Sequence, residues 1–72
     1  VIIMNKFAIA ITKGDNKKVL ETFEQKDDAL KRGKEIAADT PGKEGVVSLI
    51  YADIDNENNI IGGKYKLYEV FS

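Results

Sequence analysis

Apolar and polar residues alternate with period two from Lys6 to Lys13. Phe7, Ile9 and Ile11 fall on one side, and Ala8, Ala10 and Thr12 on the other, which predicts a β-strand. Gly14-Asp15-Asn16 reads as a turn, because these residues tolerate positive φ or bond their own backbone. A second strand over Lys18–Glu24 completes a hairpin. The period then changes. Over residues 26–39, Ala29, Leu30, Gly33, Ile36 and Ala37 share one helical stripe. Asp27 and Asp28 complement the dipole in its first turn. Asp27–Lys31 and Asp28–Arg32 have the spacing of favourable i,i+4 pairs. Pro41-Gly42 stops the helix. Gly33 lies on the stripe, where it lowers helix propensity, so close approach of helix to sheet is expected there. Val46–Ile54 is the most apolar strand, Asp55–Asn59 a polar turn and Ile60–Phe71 the last strand. Gly62-Gly63 predicts a bulge or kink near the start of that strand.

The predicted fold is therefore α+β: a β-β-α-β-β chain with a four-stranded sheet and one helix on one face, all in a single domain over residues 1–72. The second and fourth strands carry the charges Lys18, Glu21, Glu24, Lys64, Lys66 and Glu69. Charged strands belong at edges, where they discourage further pairing. This favours the antiparallel order 2-1-3-4. The alternative is a β-grasp-like order 2-1-4-3, with first and fourth strands parallel. The helix is expected to cover Phe7, Ile9 and Ile11, with Val47, Leu49 and Tyr51 as cross-strand partners.

The residues Phe23, Lys26, Ala29, Leu30, Ile36 and Ala37 resemble the strand-to-helix junction of small uncharacterised bacterial strand-strand-helix-strand domains. The pattern there runs Phe-x-Thr-Lys-x-x-Ala-hydrophobic, with Ile-Ala further along. The resemblance covers roughly residues 6–37 and implies no activity. Gln25 stands where that pattern has Thr, so the usual side-chain cap is expected to be missing. The strand order along the chain is also similar to that of immunoglobulin-binding domains of bacterial surface proteins. That likeness is topological and transfers no binding residue.

Composition removes whole classes of chemistry. Among 72 residues there is no cysteine and no histidine. That excludes disulfides, thiolate or imidazole ligands and an imidazole base. No cofactor or metal is expected. Asp53, Asp55 and Glu57 match the first positions of a calcium loop, but Asn58 and Lys64 stand where it needs Gly and a bidentate Glu. Gly42-Lys43-Glu44-Gly45 lacks the remaining P-loop residues. Ser48 has no histidine to activate it. The apolar run Val1–Ile11 is interrupted by Asn5 and Lys6 and is shorter than the ~20 residues of a membrane span. It is read as the first strand with an apolar lead-in, and the protein is expected to be cytoplasmic.

Two binding surfaces remain. One helix covers one sheet face, and the opposite face should then be polar. Instead its alternate positions read Ala8, Ala10, Val46, Ser48, Ile50, Ala52, Tyr68 and Val70, with Lys66 among them. Such a patch predicts a protein interface, in a homodimer or with another small protein. The alternative is a nucleic-acid interface using Lys13, Lys17, Lys18, Lys64, Tyr65 and Lys66. Against it stand a net charge of −1 and a pI near 5.3, since phosphate binding needs a net basic face.

Overall fold

The structure is a computed structural model and describes residues 4–71. The lead-in Val1–Ile3 and Ser72 lie outside the described residues. Four strands, β1 (Met4–Lys13), β2 (Asn16–Phe23), β3 (Val46–Ile54) and β4 (Ile60–Val70), surround one helix in sequence, α1 (Lys26–Asp39). The sheet is fully antiparallel in the order β2-β1-β3-β4. The charged strands are the edges and the apolar strands the centre, as the pattern of charges requires. Boundaries differ from the expected ones only at strand ends, where β1 begins at Met4, β2 spans Asn16–Phe23 and β4 ends at Val70.

The helix covers the face expected for it. Phe7 is opposite Tyr51, Ile9 opposite Leu49 and Ile11 opposite Val47. Ile9, Val47, Leu49 and Ala29 form the buried centre of this layer, with Leu30, Ile36, Phe23 and Phe71 packed around it. Gly33 is buried, with the Phe71 ring and Ile9 close against it. A Cβ added there would overlap the Phe71 ring and stand 2.9 Å from Ile9 Cδ1. Gln25 is the N-cap residue in extended conformation, and its side chain makes no capping hydrogen bond. At the other end Thr40 Oγ1 donates to the Ile36 carbonyl at 2.7 Å. The expected Asp28–Arg32 pair gives way to a longer-range one: Arg32 Nε donates to Glu21 Oε2 on β2 at 2.9 Å. Neither Asp27–Lys31 nor Asp28–Arg32 is an ion pair in the structure, because β2 runs beside α1 and offers Arg32 a carboxylate.

Three irregularities interrupt the register of the sheet. Ile9 pairs with Glu21 but Ala10 with Val19, so Leu20 is an extra residue in β2. Leu49 pairs with Glu69 but Ile50 with Leu67, so Tyr68 is extra in β4. Between Ala52 and Ile54 the partner residue jumps from Tyr65 to Ile60. The extra length includes Gly62 and Gly63 at φ 75° and 67°, a region that glycine enters without steric cost. Bulges bend the strand that holds them and increase the local twist.

Candidate functional site: the second face of the sheet

The face turned away from α1 is built on small residues. Ala8 and Ala10 of β1 lie beside Ser48, Ile50 and Ala52 of β3. Val19, Ile54 and Ile60 complete a second hydrophobic cluster, separate from the one under the helix. The expectation of an open apolar face needs correction. Ala8, Ala10 and Ile50 are 0% exposed, Ser48 3% and Ala52 4%. Five of the eight expected interface residues are therefore a floor that no partner touches directly.

Over this floor two long side chains from opposite edges meet. Lys17 lies on β2 opposite Thr12. Tyr65 lies on β4 opposite Ala52, whose β1 neighbour is Lys6. Although they belong to opposite edges, Lys17 Nζ is 4.7 Å from the centroid of the Tyr65 ring. The same ammonium donates to Thr12 Oγ1. The apolar stem of a lysine covers neighbouring apolar surface while its head keeps polar partners, and an ammonium over an aromatic ring is attracted to it.

What remains exposed is a rim. The large apolar side chains exposed among the described residues are Met4, Val46, Tyr65, Leu67, Tyr68 and Val70. Register puts all but Tyr68 on this face: Met4 opposite Ile54, Tyr65 opposite Ala52, Leu67 opposite Ile50, Val70 opposite Ser48, and Val46 next along β3. Leu67 and Val70 are more than half exposed, at 53% and 52%. Tyr65, Leu67 and Met4 were outside the expected patch. The signal for them was present as exposed apolar positions of the first and last strands.

Tyr68 and Lys66 move to the other face. Strict alternation groups them with Val70, but the extra residue in β4 breaks that grouping. Lys66 faces Tyr51, and the Tyr68 ring lies 5.7 Å from Phe7, which itself lies 4.7 Å from Tyr51. Lys26 and Lys66 place their ammoniums 4.9 and 5.1 Å from the Tyr68 centroid.

The residues of the nucleic-acid alternative are divided in the same way. Lys17 and Tyr65 meet, but Lys18 is opposite Ile11 on the helix side, Lys66 is opposite Tyr51, and Lys13 ends β1 at the hairpin turn. Lys64 lies in the irregular stretch of β4 after the two glycines.

Little else has the character of a reactive site. Ser48 Oγ is buried and makes no hydrogen bond, a state that costs about 1–3 kcal/mol. Asp55 Oδ1 accepts the N–H groups of Asn59 and Glu57, each at 2.9 Å. The Asn59 N–H is the largest cause holding its carboxyl below the ordinary aspartate pKa; desolvation opposes it, and the N–H of Glu57 adds a lesser lowering. The carboxylate is thus engaged by its own turn. A shallow groove of about 420 Å³ between the end of α1 and the end of β4 is lined by Lys34, Ala37, Ala38, Glu69, Val70 and Phe71. Among the described residues no three acidic side chains gather as metal ligands, and no helix is long and apolar enough to cross a membrane. No family model matches the chain, and comparison with curated proteins and with solved structures returns no match.

Proposed function

We propose that this chain is a non-enzymatic protein–protein interaction module. It associates through the rim of the second sheet face, most simply with a second copy of itself. The observation that carries this reading is the gathering of exposed apolar side chains. Met4, Val46, Tyr65, Leu67 and Val70, five of the six large apolar side chains exposed among the described residues, share one face, and Tyr68 lies on the other. Contiguous apolar surface rimmed by polar residues marks an interaction site. Two-fold dimers are the commonest oligomers, and a chain this short gains stability from association.

Sedimentation equilibrium over a hundredfold range of concentration tests it. The wild type is expected to dimerise, and Leu67→Glu to weaken the dimer while keeping its circular dichroism. A monomer at every concentration overturns self-association.

A nucleic-acid accessory role is the second reading. Its support is the meeting of Lys17 and Tyr65, although the ring faces its own lysine there. Retardation of an oligonucleotide, falling steeply with added salt, would favour it over the first.

A further inference from the structure

We propose that the second copy docks on the free edge of β4, antiparallel to its own β4, in the register that sets Lys66 against Glu69 of the other copy. This rests on the self-association reading above and narrows the contact to the β4 part of that rim, where Tyr65, Leu67 and Val70 lie. The outer edge of β4 pairs with no strand among the described residues, and every residue from Gly62 to Val70 is exposed. Charge complementarity selects the register. Over Tyr65–Val70 the sequence is Tyr-Lys-Leu-Tyr-Glu-Val. Turned through a two-fold axis between Leu67 and Tyr68, it pairs Tyr65 with Val70, Lys66 with Glu69 and Leu67 with Tyr68, each twice. The first is an aromatic–β-branched pair and the second an opposite-charge pair, the kinds that stabilise adjacent strands when they share a face. A shift of one residue in either direction sets Glu69 against Tyr65 or Leu67 and leaves both charges without a partner.

The bulge makes this register possible. In a regular strand, residues 65 and 70 point to opposite faces, as do 66 and 69. The extra residue at Tyr68 puts Tyr65 and Val70 both on the second face, opposite Ala52 and Ser48, and Lys66 and Glu69 both on the helix face, opposite Tyr51 and Leu49. These two pairs therefore each share a face, whereas Leu67, opposite Ile50 on the second face, and Tyr68, beside Phe7 on the helix face, point to opposite sides and form no side-chain pair across the seam. Lysine on an edge strand ordinarily discourages pairing, but here the opposing glutamate neutralises it. Among the described residues Glu69 has no ion-pair partner, and Lys66 has the Tyr68 ring.

The test is a charge-swap series at exposed positions, followed by sedimentation equilibrium with circular dichroism as the check on folding. Lys66→Glu and Glu69→Lys are each expected to raise the dimer dissociation constant at least about tenfold, because each sets like charges opposite one another twice. The double variant Lys66→Glu/Glu69→Lys is expected to dimerise like the wild type. An equimolar mixture of the two single variants is expected to form a heterodimer. A wild-type dimer indifferent to both single swaps overturns this register and leaves self-association standing. A wild type monomeric at every concentration overturns both.

Discussion

Gly33 places two demands on one residue. Alanine there would favour the helix by about 1 kcal/mol. Its methyl would overlap the Phe71 ring and crowd Ile9 Cδ1, and overpacking costs about 1–3 kcal/mol. Gly33→Ala is therefore expected to lower the urea midpoint, and a higher midpoint would show that Phe71 yields without cost. At Ser48 the balance runs the other way. Its hydroxyl is buried and unbonded, so Ser48→Ala is expected to raise stability by about 1 kcal/mol. Loss of stability in that variant would mean that the hydroxyl has a partner. Gly33 was legible in the sequence, because a glycine on an apolar helical stripe needs a packing reason. The state of Ser48 was not: mid-strand serines have no pattern that tells a bonded hydroxyl from an orphaned one.

The β3–β4 hairpin turn is organised by a single carboxylate. Asp55 binds two backbone N–H groups that only the folded turn brings together, so its folded pKa lies below its unfolded one. Its contribution to stability is complete above about pH 4 and is lost as pH falls through the depressed folded value. The Asp55 carboxyl is expected to titrate below an ordinary aspartate by NMR. Asp55→Asn should lose that part of the acid dependence of unfolding, and titration at the ordinary value would refute the account. At this scale the elements themselves were readable. The change from period two to period 3.6 marked α1, and the charges of the second and fourth strands marked the edges. The bulges were harder to read. Their traces are the adjacent apolar pairs Val19-Leu20 and Leu67-Tyr68 in otherwise alternating strands. A reading by strict alternation passes over both, and so places Tyr68 on the wrong face.

In the whole molecule one sheet separates two hydrophobic layers, and only one has a helix over it. Over the other, side chains from opposite edges of the sheet meet, Lys17 against Tyr65. No local pattern announces that contact, because Lys17 and Tyr65 belong to opposite edge strands, far apart in the sequence. If association supplies part of the stability, as proposed, the melting temperature must rise with protein concentration. The alanine floor has a consequence for whatever this face meets. Binding surfaces commonly concentrate their energy in a central socket that admits one large anchor. Here the centre is already filled to the level of a methyl group and offers nothing to insert into. If a partner docks on this face as proposed, recognition works from the perimeter inward, as a lid meets the lip of a jar. Substitutions along that lip can then retune a partner without touching the residues that hold the sheet together.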